Sequence, residues 1–149
     1  MIRYLNAGIQ GVHAADPTIR IALHTERPSS AASWLRYVVD NGVAVDVFGL
    51  SCYEAWQGGA QGCRQAFNAL IADSRFDDID FIVPEYNPGR TEMSLMMRDL
   101  ADGPGLGTFF WEPTGGGEWG PAMFTGMTAN GSDFQEFDDM LPELGLEPY

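Results

Sequence analysis

Apolar positions along this chain follow two rhythms. Short near-continuous apolar runs alternate with longer stretches in which apolar residues recur every three or four positions. The runs are "TIRIALHTE" (Thr18–Glu26), "VDVFGLSCY" (Val45–Tyr53), "IDFIVPEY" (Ile79–Tyr86) and "LGTFFWEP" (Leu106–Pro113), and each is expected to be a strand. The periodic stretches between them predict helices. "SSAASWLRYVVDNG" puts Trp34, Leu35, Val38 and Val39 on one face, with serines available to cap its start and Asn41-Gly42 to stop it. "GCRQAFNALIADSR" turns Phe67, Leu70 and Ile71 inward, and "EMSLMMRDLAD" follows the third strand. An opening amphipathic helix carries Leu5, Ile9 and Val12 on one face, and an acidic helix is expected near "SDFQEFDDMLPEL".

The order is therefore one helix followed by four βα units. That order implies a parallel sheet with right-handed crossovers, and the near-continuous apolar runs are those of a sheet covered on both faces. Residues 1–149 read as a single domain, with no linker or low-complexity segment.

Composition changes this picture in three ways. The net charge is -13, and all eight basic residues are arginine. Such a chain is repelled by nucleic acid and by anionic membranes, so neither is an expected partner. No apolar run approaches the roughly 18 residues that span a bilayer, and the first residues lack a long apolar signal segment. Cys52 and Cys63 make no metal or redox motif. Two free buried thiols are the favoured reading, with a single disulfide as the alternative if the protein is exported.

Chemistry-bearing residues gather at the C-terminal ends of the strands: His24 and Glu26, Ser51 and Tyr53 with Trp56 beyond, Glu85 and Tyr86, then Trp111 and Glu112. In a barrel of βα units this rim is where active sites are built. Tryptophan faces stack on pyranose rings and carboxylates do acid–base and nucleophilic work, so the set points to sugar. Each residue has a plainer reading as well. A lone His24 serves by default as a hydrogen-bonded structural residue, and Glu112 before a proline as a loop anchor.

"LNAGIQGVHAADPTIRIALHTE", "VDVFGLSCYEAWQG", "IVPEY" and "GTFFWEP" resemble, in order, the C-terminal half of the endo-β-1,4-galactanases, glycoside hydrolase family 53. The resemblance covers about Leu5 to Pro113. It implies strands five to eight of a (β/α)8 barrel, hence an α/β fold that is half of a TIM barrel. It also implies a retaining glycosidase acting on β-1,4-galactan, the arabinogalactan side chain of pectin, without a cofactor or metal. The family's nucleophile, a glutamate at the end of the seventh strand, falls on Glu85. Tyr53 or Tyr86 would hold that carboxylate, Trp111 would lie under the ring at the cleavage point, and His24, Tyr53, Trp56, Tyr86 and Glu112 would line the substrate. The full-length protein is expected to be secreted.

Two stretches depart from the family pattern: "SCYEAW" stands where "SYYPYW" is usual, and "EYNP" where "ETAY" is usual. The family's acid/base glutamate belongs to an Asn-Glu pair on the fourth strand, and this sequence contains no such pair. The chain is thus expected to need a missing N-terminal half-barrel or to self-associate. Two other readings are a non-catalytic carbohydrate-binding half-barrel and a flavodoxin-like binding domain, the latter disfavoured because no glycine-rich turn follows the first strand. Glu118, Asn130 and Asp133 are weak candidates for calcium ligands.

Overall fold

The computed structural model describes residues 1–100, 103–115 and 122–147. Its centre is a four-stranded parallel sheet of β1 (Ala22–Thr25), β2 (Val47–Ser51), β3 (Asp80–Tyr86) and β4 (Gly105–Phe110), in the order β1-β2-β3-β4. The order follows the sequence without reversal. A doubly wound sheet needs a switch in strand order, so the flavodoxin-like reading is corrected here.

Helices α2 (Pro28–Asp40), α4 (Gly59–Ile71) and α5 (Arg90–Arg98) are the crossovers, and a short α3 (Glu54–Gln57) precedes α4. Phe48, Leu50, Phe81 and Val83 from the strands meet Leu35, Cys63, Phe67, Leu70, Met93 and Met96 from the helices in one core. Phe67 and Phe81 pack with ring centroids 5.6 Å apart. Trp34, Val39 and Ile71 are only partly buried at its margin.

The elements start and stop for local reasons. β1 is shorter than the apolar run because Thr18 is held in a turn by Asp16, and the Ile21 N–H donates to Asp46 Oδ2 at 2.6 Å. The serines do not cap α2: Pro28 occupies its first turn, where a missing N–H costs nothing, and Arg27 is the cap residue. Asn41 does end it, with Gly42 at φ 75°. The opening helix α1 (Ile2–Ala15) forms, but none of its residues is buried, and Val12 is exposed. A two-stranded hairpin, β5 (Phe124–Thr125) and β6 (Thr128–Ala129), precedes α6 (Gly131–Met140). The buried Arg90 ties α6 to the body through Asp133 at 3.1 Å and through Glu136, with its guanidinium 4.3 Å from the Phe110 ring centroid.

Cys52 and Cys63 are joined in a disulfide between the end of β2 and α4, with Cα atoms 5.9 Å apart. The favoured reading of free thiols is corrected. Both sulfurs are fully buried at a point where strand and helix touch, a proximity that an eleven-residue spacing does not reveal.

The sheet is not covered on both faces as expected: among the described residues, helices lie on one face and leave the other bare toward β4. Gly105 faces α5, where a Cβ would fall 2.1 Å from the Met97 carbonyl oxygen. Leu106 and Phe109, on the opposite face of β4, are 51% and 60% exposed.

Candidate active site

Glu85 owes its position to an irregularity in β3. Gly49 pairs with Ile82 but Ser51 pairs with Glu85, so β3 carries one extra residue across this interval. The same extra residue appears against β4, where Val83 pairs with Thr108 and Tyr86 with Phe110. A bulge of this kind re-aims the side chains beyond it. Phe81 and Val83 point under the helices, and strict alternation would send Glu85 there too. The extra residue, beside Pro84 with its missing N–H, returns Glu85 to the bare face and sends Tyr86 into the core. The Cys52 N–H then donates to the Glu85 carbonyl at 2.9 Å and fixes the new register.

Around the carboxylate the side chains converge. The Tyr53 hydroxyl donates to Glu85 Oε2 at 3.3 Å. His24 Nδ1 lies 3.7 Å from Glu85 Oε1, and its Nε2 shares a 2.8 Å hydrogen bond with Ser51 Oγ. A carboxylate beside Nδ1 favours the proton there, which leaves Nε2 to accept from the Ser51 hydroxyl. Burial, and then the negative charge of Glu85, push the Tyr53 hydroxyl far above its ordinary range, with a further contribution from Glu112. Tyr53 therefore stays protonated and remains a donor at any physiological pH.

Tyr53, Trp56, Glu85, Trp111 and Glu112 line one cleft of about 310 Å³. Glu112 reaches it from a left-handed backbone conformation, φ 47°, which non-glycine residues seldom adopt and which clusters at functional sites. Trp56 is 61% exposed and tilts against Tyr53 with centroids 5.3 Å apart. His24 supports Glu85 from beside the cleft. Tyr86 is not brought to the site. It is fully buried, with its ring edge-on to Phe110, so its expected substrate contact is replaced by a packing role. Of the calcium candidates, Glu118 lies outside the described residues. Asn130 donates to the Ala122 carbonyl and accepts from Thr125, and Asp133 pairs with Arg90.

Three further residues line the cleft: Glu26, Ser51 and Gln57. Glu26 and Ser51 were visible as polar strand ends, whereas Gln57 gave no signal. Its side-chain carbonyl accepts from the Tyr53 N–H at 3.0 Å, and its amide donates to the Glu26 carbonyl at 3.1 Å. It thereby ties the loop after β1 to the residue that holds Glu85. Gly62 permits this fold of the loop, because a Cβ there would fall 1.9 Å from the Gln57 carbonyl oxygen. With three carboxylates and no cation among its described lining residues, the cleft suits a neutral, hydroxyl-rich ligand and acid–base chemistry.

The family model for glycosyl hydrolase family 53 matches residues 1–88, a segment that contains His24, Tyr53, Trp56 and Glu85 and stops before Trp111 and Glu112. No curated protein matches the chain. Among solved structures, the chain is similar to the GH53 catalytic domain of Ignisphaera aggregans, with a TM-score of 0.68 and 17% sequence identity. That alignment covers 76% of this chain and 41% of the other, so the chain spans about two fifths of that domain. Its four sequential βα units are the architecture of one half of a (β/α)8 barrel, and the family match across more than half of the sequence places the chain in glycosyl hydrolase family 53.

Proposed function

We propose that residues 1–149 act as one partial glycoside hydrolase domain that supplies the nucleophile half of a retaining endo-β-1,4-galactanase. The observation that carries this reading is the Glu85 carboxylate, turned by the bulge into a tryptophan-lined cleft and held there by the Tyr53 hydroxyl.

In this reading the glycan lies across the rim with a sugar ring over Trp111 and a neighbour near Trp56. Glu85 attacks the anomeric carbon as the glycosidic bond breaks, giving a glycosyl ester. A second carboxyl, roughly 5–5.5 Å away, first protonates the leaving oxygen and then draws a proton from the water that releases the sugar. That second carboxyl comes from the half-barrel that completes the bare face, since the family's Asn-Glu pair is absent from this sequence. The Tyr53 donor and His24 orient the Glu85 oxygens for attack. The partners are accordingly β-galactan, or a related plant β-glycan, and a complementing half-barrel or second copy. Secretion suits a polymer substrate of this size.

A chain standing alone has a second reading, as a carbohydrate binder without turnover, because it holds the cleft but not the family's acid. The test uses the chain assembled with the N-terminal half of a family member. Glu85→Gln should lower release of reducing ends from galactan by several orders of magnitude, since the covalent route is lost, while binding of galacto-oligosaccharides persists. Near-full activity in that variant rejects Glu85 as nucleophile. Binding without hydrolysis by the wild-type assembly favours the binder.

A further inference from the structure

A second concavity adjoins the Glu85 cleft. It has about 680 Å³, more than twice the volume of the cleft at about 310 Å³, and runs between α2 and α4 on the outside of the sheet. The two share Glu26, Trp56 and Gln57. These residues form the lip between them, and the exposed indole of Trp56 stands on that lip.

Resting on the galactanase reading, we propose that this groove is a remote binding site for the same polysaccharide, taking neutral β-linked sugar units that extend from the cleft over Trp56. Continuity identifies the occupant: a chain seated over Glu85 that leaves the cleft past Trp56 meets the groove across the three shared residues. The floor is fitted to such a ligand. Ala32, Ala66 and Ala69 leave a smooth shallow surface between the helices. Gln65, Ser29 and the Glu26–Arg27 pair, whose side chains are 3.3 Å apart and about three-quarters exposed, present donors and acceptors to hydroxyl groups at its edge. Trp56 supplies a flat apolar face against which a pyranose stacks. The single arginine is already paired with a carboxylate and the chain carries net charge -13, so a uronic acid polymer is repelled where a neutral one is accepted.

The groove makes binding depend on chain length. Galacto-disaccharide fills the cleft alone, and a hexasaccharide reaches both. By calorimetry, the hexasaccharide should bind the intact chain at least about tenfold more tightly than the disaccharide. Ala69→Trp and Ser29→Trp, at exposed groove positions away from Glu85, should reduce that advantage to about twofold and leave the disaccharide unchanged. Oligogalacturonates should not compete. An unchanged hexasaccharide advantage in both variants overturns the groove and leaves the Glu85 reading standing. A length effect removed by the variants, together with no galactan hydrolysis by the barrel completed with a family member's N-terminal half, keeps the groove and rejects the catalytic reading. Failure of every neutral oligosaccharide to bind rejects both.

Discussion

The two faces of the sheet are made by the same strands and end in opposite conditions. On the helix side Phe48, Leu50, Phe81 and Val83 are at most 1% exposed, sealed by α2, α4 and α5. On the other side Leu106 and Phe109 stand half or more in solvent, and among the described residues β1 and β4 each leave one parallel edge without a neighbour. Unpaired edges beside an apolar face are what barrel closure removes. The covered face explains why the chain folds, and the bare face is the one to which the proposed complementing half-barrel is assigned. Glu85 sits on the second, which is why the bulge in β3 matters: without it the carboxylate would enter the core.

The sharpest way to break this comparison is to truncate one aromatic on each side. Phe67→Ala, in the sealed core, should cost about 3–5 kcal/mol in chemical unfolding. Phe109→Ala should change the stability of the isolated chain by no more than about 0.5 kcal/mol, since it removes area that water already reaches. Equal losses at the two positions would show that the bare face is covered in solution, and sedimentation would then reveal association. Next in size is Tyr53→Phe, which deletes the donor to Glu85 and keeps the ring. A hydrogen bond to a charged group is worth about 1.5–3 kcal/mol, so turnover in a completed barrel should fall about 10–100-fold while the unfolding transition moves little. Loss of stability without loss of turnover would make Tyr53 a packing residue.

The sequence disclosed the covered face far better than the site. Apolar runs located all four strands of the parallel sheet, and helical spacing identified Leu35, Val38, Phe67 and Leu70, because burial imposes a regular pattern on residue type. The polar strand ends also revealed Glu85, Tyr53 and the two tryptophans. What stayed hidden depends on register and three-dimensional proximity. Glu85 and Tyr86 take opposite faces as strand neighbours do, but one extra residue in β3 exchanges which face each of them takes. Gln57 acts through two hydrogen bonds, to residues 31 positions away in one case and 4 in the other, which no local motif encodes. The Cys52–Cys63 bond likewise needs the strand-to-helix contact. Helix α1 shows a limit of another kind: its apolar stripe was legible, but the partner that would cover it is not among the described residues.

The smallest expected effect belongs to the outer layer of the covered side. Asp73 accepts from Arg75 and from Arg36 Nε at 2.6 Å, which joins α2 to the turn after α4. Those hydrogen bonds, Arg75 first, hold its carboxyl down at about 2. The folded value lies below the unfolded one of about 3.9, so the stabilisation is complete above that pH and fades as pH falls toward 2. Unfolding followed between pH 5 and pH 2 should show this slope, and Asp73→Asn should flatten it. An identical slope in the variant assigns the acid sensitivity to other carboxylates.

The central claim is that Glu85 becomes covalently bonded to sugar. An activated 2-deoxy-2-fluoro-galactoside slows release of the glycosyl ester more than its formation, so the intermediate accumulates on the nucleophile. The barrel completed with a family member's N-terminal half should be incubated with this reagent, digested and mapped by mass spectrometry. The account predicts one fluorosugar on the peptide that contains Glu85, and no label in Glu85→Gln. A label on Glu26 or Glu112, or galactan hydrolysis by an assembly that never takes up the label, would contradict it.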